Sequence, residues 1–172
     1  LGIVGMGRIG IAMARMAHHG FAMRIVYSSR SAVAESVAME LGAQCLPLDE
    51  LLQTTDFVSL HCPATPETRN LINAQKLRLM GEHAVLINTA RGDVVAEADL
   101  VQALRDGVIA GAGLDVYAQE PAVPKELLDL EQVVLLPHMG SGTVETREAM
   151  GMCALANIEA HVAGQPLPHA VQ

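Results

Sequence analysis

Charge is scarce in this chain. Only 17% of its 172 residues are Asp, Glu, Lys or Arg, against about 25% in an ordinary domain. With 51% hydrophobic residues, it has more apolar surface to bury than a solitary domain of this length needs. A subunit interface or a further domain is the expected recipient. Basic clusters are absent and the net charge is −8. That argues against nucleic acid as a partner, because neutralising phosphates takes Lys and Arg. No apolar run reaches the roughly 18 residues that would suggest a membrane span. Cysteines are few: Cys45, Cys62 and Cys153 are odd in number and widely spaced. They form neither a disulfide framework nor a metal-ligand pattern, so no metal is expected and a reducing cytoplasm suits them. Repeats, low-complexity tracts, internal linkers and a signal-peptide pattern are all missing. One domain over residues 1–172 is the expectation.

What is present is a regular alternation. Short apolar runs over 1–5, 24–27, 43–46, 57–61, 84–88, 110–116 and 133–136 read as strands. Most are continuously apolar, as strands covered on both faces are. Helical segments are expected near 8–19, 31–41, 48–53, 67–80, 96–106 and 143–164. Such alternation predicts an α/β fold, a doubly wound parallel sheet of the Rossmann type. Two helices carry stripes of small residues, Gly10, Ala14 and Ala17 on the first and Ala149, Cys153, Ala156 and Ala160 on the last. Both read as close-packing faces.

The opening stretch LGIVGMGRIG places Gly5, Gly7 and Gly10 between a strand and a helix. The first glycine permits the turn, the second lets backbone approach a pyrophosphate, and the third lets helix and strand pack closely. The helix start then offers free N–H groups to the phosphates. In such a fold the residue at the end of the second strand reads the ribose. With the strand ending at Tyr27, that place falls to Ser28, followed by Ser29, Arg30 and Ser31. An acid there would bond the 2′-hydroxyl of NAD and repel a 2′-phosphate. Serine hydroxyls and a guanidinium fork instead suit the phosphate of NADP(H). NADP(H) is therefore the expected cofactor, with NAD(H) second.

Three more segments place reactive side chains just past apolar strands, where parallel sheets put ligands. Arg91 follows one in LINTARGDVV. Asp115 and Glu120 follow another in GLDVYAQEP, and His138 follows a third in LLPHMGSGT. Each alone has a plain reading as a surface charge or turn residue. Together they suit the reduction of a 2-keto acid. A guanidinium grips a planar carboxylate and steadies a developing oxyanion. An imidazolium supplies a proton near neutral pH, and a nearby carboxylate holds its tautomer.

Taken in order, GMGRIG, LHCPATPETRNLI, NTARGDVV, GLDVYAQEP, PHMGSGT and ANIEAHVAGQPLPHAV resemble the D-isomer-specific 2-hydroxyacid dehydrogenases over essentially the whole chain. Among them the sequence looks most like bacterial 2-ketogluconate, glyoxylate and hydroxypyruvate reductases. The resemblance implies that Arg91 holds the substrate carboxylate, His138 is the general acid/base and Glu120 pairs with it. Asp115 would lie near the nicotinamide carboxamide. Arg8 and Ile9 would flank the pyrophosphate, and Cys62, Pro63 and Thr68 the adenosine. Thr89 and Ala90 would approach the nicotinamide ribose, while Gly140 and Ser141 close the site. A homodimer is implied as well. So is a substrate domain built from both chain ends, largely absent here, toward which the final residues HAVQ would lead. Two other readings share the fold: a dinucleotide-sensing, corepressor-like binding protein, and an S-adenosylmethionine-binding domain. The first lacks a visible recruitment segment, and the second leaves Arg91, Glu120 and His138 without a task.

Overall fold

The structure, a computed structural model, describes residues 1–170; Val171 and Gln172, the end of HAVQ, lie outside the described residues. It divides into two units, Leu1–Pro137 and His138–Gln172. The first contains a sheet of seven strands: β1 (Gly2–Val4), β2 (Val26–Ser28), β3 (Gln44–Cys45), β4 (Phe57–Leu60), β5 (Val85–Asn88), β6 (Gly111–Leu114) and β7 (Val133–Leu135). All pairings are parallel, in the order β3-β2-β1-β4-β5-β6-β7. Between them run α1 (Arg8–Phe21), α2 (Glu35–Leu41), α3 (Leu48–Thr54), α4 (Ala74–Leu77), α5 (Glu97–Arg105) and α6 (Lys125–Leu128). This is the Rossmann-type doubly wound sheet that the alternation predicts.

The apolar strands divide their side chains between two cores, as the twofold period of a strand requires. Ile3, Ile25 and Tyr27 pack with Ala14 and Ala17 of α1 and Leu41 of α2. Val4, Val26, Val58 and Leu60 pack on the other face with Leu51 and Leu52 of α3. The small stripe on α1 is buried as expected: Gly10, Ala14 and Ala17 are its buried positions. The edge strand β3 departs from the rule, since both its residues are exposed.

Register then places the site. Ser28, Val4, Leu60, Asn88, Leu114 and Leu135 stand abreast across six strands. The residues that follow each of them therefore emerge along one edge of the sheet. The turns after β1, β2, β4, β5 and β6 all begin there.

The expected helix over 67–80 is corrected. Its first part forms a turn, and Ile72 makes a parallel bridge with Val95. Only Ala74–Leu77 is helical. Two polar residues account for this. Asn70 takes a left-handed conformation (φ 50°), which Asn tolerates better than most side chains. Asn73 caps α4, its side chain accepting from the N–H groups of Gln75 and Lys76, and so sets the helix start. The segment expected to be helical from residue 31 likewise begins only at Glu35.

The second unit holds α7 (Val144–Val162), which starts at Thr143, whose hydroxyl accepts from the N–H of Thr146. None of its residues is buried. Of the close-packing face expected on Ala149, Cys153, Ala156 and Ala160, the first two are exposed and the last two half-buried. Beyond the helix, Asn157 and His169 exchange two hydrogen bonds, at 3.1 and 2.9 Å.

Candidate active site

A cavity of about 610 Å³ opens at the carboxyl ends of β1, β2 and β4. Strand order reverses between β1 and β4, and open α/β sheets put ligands at that point. A second cavity, of about 560 Å³ beside α5 and α6, shares no lining residue with it.

The three glycines of the turn have different reasons to be glycine. Gly5 has φ 95°, and a Cβ on it would stand 2.7 Å from the backbone nitrogen of Cys62. It must be glycine for the turn and for the close approach of the segment that follows β4. A Cβ on Gly10 would overlap the carbonyl oxygen of Gly5 and meet Ile3 at 3.2 Å, so Gly10 seats α1 on β1. Gly7 is different. Its φ of −80° suits any residue, and a Cβ there would meet nothing within 4 Å. The protein itself does not need Gly7 bare, yet Gly7 lines the cavity. The start of α1 beside it has no side-chain cap and no acid in its first turn, leaving its N–H groups and positive pole for an anion. A pyrophosphate fits this notch.

A second part of the cavity wall comes from the turn after β2. Ser28, Ser29, Arg30 and Ser31 all line the cavity. The N–H of Gly5 donates to the Ser28 carbonyl at 2.8 Å, tying the two turns together. Cys62, Pro63 and Thr68 line it too. The Thr68 hydroxyl is engaged locally, donating to the Pro63 carbonyl at 2.6 Å and accepting from the Thr65 N–H at 2.8 Å. Burial pushes the Cys62 thiol pKa up, so this cysteine acts as an apolar wall rather than a nucleophile. Arg8 and Ile9 are exposed on α1, outside the cavity lining.

Two titratable lining residues, His61 and Glu67, escaped the sequence reading, as did several apolar ones. His61 follows β4, and its Nε2 lies 2.9 Å from the Ser59 hydroxyl. Burial pulls its pKa down, which keeps the ring neutral in the cavity. Glu67 brings a carboxylate to a cavity whose β2 turn has none. The available signal for both was their place in HCPATPET, directly after an apolar strand.

Beyond β5 the loop bearing Thr89, Ala90 and Arg91 is held by Asn88, which is 1% exposed. The Asn88 amide donates to the Arg91 carbonyl at 3.0 Å, and its oxygen accepts from the Ala90 N–H at 3.1 Å. The Arg91 guanidinium donates to the Ala90 carbonyl at 2.6 Å and is exposed. Next comes Gly92, packed so closely on Tyr117 and Ala118 that any Cβ would overlap their backbone. That contact sets the Arg91 loop against the turn after β6. In that turn Asp115 is buried, and its N–H donates to the Asn88 carbonyl at 3.0 Å. A Glu120 carboxylate oxygen accepts from the Tyr117 N–H at 3.0 Å, and Glu97 of α5 accepts from Ala118 at 2.8 Å. Tyr117 in turn donates its hydroxyl to the Leu136 carbonyl at 2.9 Å. Its pKa is raised by burial first and by the charge of Asp115 second. Asn88, Gly92 and Tyr117 thus shape the site without having been singled out. An amide closing an apolar strand was the one legible hint.

His138, Gly140 and Ser141 belong to the second unit. His138 is exposed and has a left-handed backbone, φ 52°. Such conformations are uncommon outside glycine and gather at functional sites.

A doubly wound parallel sheet with a bare glycine notch at its switch point defines a dinucleotide-binding domain. Comparison with known proteins gives the family. Residues 1–140 match the model of the D-isomer specific 2-hydroxyacid dehydrogenase NAD binding domain. The chain is 52% identical over 168 residues to a glyoxylate reductase of Thermococcus onnurineus, covering 98% of this chain and 50% of that protein. It is 47% identical over 166 residues to glyoxylate/hydroxypyruvate reductase B of Enterobacter agglomerans, 96% and 51% of the two chains. Among solved structures it superposes with a TM-score of 0.92, at 39% identity, on an NADPH-dependent glyoxylate/hydroxypyruvate reductase of Sinorhizobium meliloti in complex with NADP and malonate. That match covers 99% of this chain and 52% of the other. The chain belongs to the D-isomer-specific 2-hydroxyacid dehydrogenase family, and residues 1–140 match that family's NAD-binding domain. It spans about half the length of the curated relatives it matches. Among the described residues no helix is long and apolar enough to cross a membrane.

Proposed function

We propose that the protein reduces a small 2-keto acid to the D-2-hydroxy acid, with NADPH as preferred reductant. Glyoxylate and hydroxypyruvate are the leading substrates and 2-ketogluconate the third. The observation that carries this reading is the row of strand ends that opens the cofactor cavity and the Arg91 and Glu120 loops along one edge of the sheet. The names of the relatives point the same way.

In this reading the bound nicotinamide supplies the hydride to C2. Arg91 grips the substrate carboxylate with its fork and offsets negative charge growing on the carbonyl oxygen. His138 gives that oxygen its proton, and Glu120 favours the protonated imidazole beforehand. Asp115, Thr89 and Ala90 position the nicotinamide end, Arg8 and Ile9 flank the pyrophosphate, and Gly140 and Ser141 close over the substrate. Arg30 and the serines around it read a 2′-phosphate. The expected location is the cytoplasm.

The test is a pair of titrations and a turnover assay on the whole protein. Glyoxylate and hydroxypyruvate should be turned over with NADPH. A charge-assisted bond to phosphate contributes about 1.5–3 kcal/mol, so NADPH should bind about ten- to a hundredfold tighter than NADH. Arg30→Ala should remove most of that preference by weakening NADPH alone. No turnover of any 2-keto acid would end the catalytic reading, and equal affinity for both cofactors would end the NADPH reading.

We also propose a homodimer. The low charge fraction supports it, as do the exposed Val144, Met150, Met152, Leu155, Ile158 and Val162 of α7. Light scattering on the whole protein at micromolar concentration should give twice the chain mass; a monomer alone would refute it.

A further inference from the structure

We propose that Glu67 is a specificity-determining residue of the cofactor cavity, an acid that shares the cavity wall with Arg30 and limits its hold on a 2′-phosphate. The inference rests on the phosphate reading of Arg30 given above. Both residues line the same cavity although 37 positions separate them in the sequence. Arg30 comes from the turn after β2 and Glu67 from the turn after β4.

The turn that carries Glu67 is closed on both sides of it. The Thr65 N–H donates to the Thr68 hydroxyl at 2.8 Å, that hydroxyl donates to the Pro63 carbonyl at 2.6 Å, and the Arg69 N–H donates to the Thr65 carbonyl at 3.0 Å. Glu67 is thereby presented from fixed backbone. The Thr65 hydroxyl holds its carboxyl below the usual carboxylate range, helped by its own backbone N–H and by the charge of Arg30. It is ionised wherever the cofactor would bind.

A negative charge on this wall would act twice on a phosphate. It offsets part of the Arg30 charge, and it repels the phosphate directly. Its effect on a ribose is the reverse, since a carboxylate accepts a hydrogen bond from a hydroxyl. The acid missing after β2 is thus supplied from the turn after β4, and it moderates a preference that Arg30 alone would make steeper. Selectivity of this kind is a difference between two affinities, with one repulsive and one attractive element.

The experiment is titration of NADPH and NADH against wild type, Glu67→Gln, Glu67→Asp and Arg30→Ala in the whole protein. Glu67→Gln should tighten NADPH by about two- to fivefold, the scale of an exposed charge pair in water, without tightening NADH. Glu67→Asp keeps the charge and should keep the wild-type ratio. Glu67 is exposed, so folding should survive; unchanged melting temperatures check that. An unchanged NADPH-to-NADH ratio in Glu67→Gln, or an equal change in both affinities, overturns the inference. If Arg30→Ala shifts the ratio and Glu67→Gln does not, only this inference falls. If Arg30→Ala also leaves it unchanged, the phosphate reading falls with it.

Discussion

Replacing His138 with glutamine should lower kcat by about 100-fold or more while cofactor affinity changes little. Glutamine can still donate a hydrogen bond, but it cannot give up a proton near neutral pH. The loss should therefore fall on the proton-transfer step and leave dinucleotide binding alone. One alternative cause of inactivity needs separating. His138 has φ 52°, and a residue less at ease in that region could distort the turn. Asparagine adopts left-handed backbone more readily than most side chains, so His138→Asn preserves the turn and still removes the acid. Both variants should show that loss of kcat while their melting temperatures stay at the wild-type value. Near-normal turnover in either one would remove His138 from the chemistry.

The second large effect sets two glycines of one motif against each other. Gly7→Ala should leave stability within about 1 kcal/mol of wild type, because its φ suits alanine and the new methyl meets nothing. The methyl instead enters the space a pyrophosphate would occupy. Overpacking costs typically 1–3 kcal/mol, so affinity for either cofactor should fall by about five- to 150-fold. Gly10→Ala should behave in the opposite way. Its methyl overlaps the Gly5 carbonyl oxygen, so α1 must lift from β1 and thermal stability should drop. Melting curves and cofactor titrations on the two variants check this together. If Gly7→Ala binds cofactor normally, the notch is not where the pyrophosphate lies.

Much of the fold is legible in the sequence. Seven apolar runs of strand length became seven parallel strands, each trimmed at one or both ends, with β2 alone also extended, by Ser28. The small stripe of α1 was equally readable, because a 3.6-residue period puts Gly10, Ala14 and Ala17 on one face, and that face is buried. The glycine turn and the serine–arginine loop were found where a strand meets a helix. These are local signals. Side-chain period, backbone freedom and strand length all act within a few residues, so the sequence by itself determined the element types, the sheet class and the nucleotide turn.

Local reasoning failed where partners are distant. The run over 67–80 has apolar spacing suited to a helix, yet Ile72 donates its N–H to the Val94 carbonyl at 3.1 Å and accepts from the Ala96 N–H at 2.9 Å. Backbone bonds to a loop more than twenty residues away outweigh helical propensity there. Small residues on α7 suggested a packing face, but a covering surface is a property of whatever lies against the helix, not of its own sequence. The cavity wall shows the same limit. Glu67 and His61 meet the serine–arginine turn only because parallel register sets Ser28, Val4 and Leu60 abreast. Gly7 and Gly10 look alike as letters in a motif. Only the tertiary structure separates them, because what a Cβ would strike depends on atoms brought near by the fold: the Gly5 carbonyl for one, open space for the other.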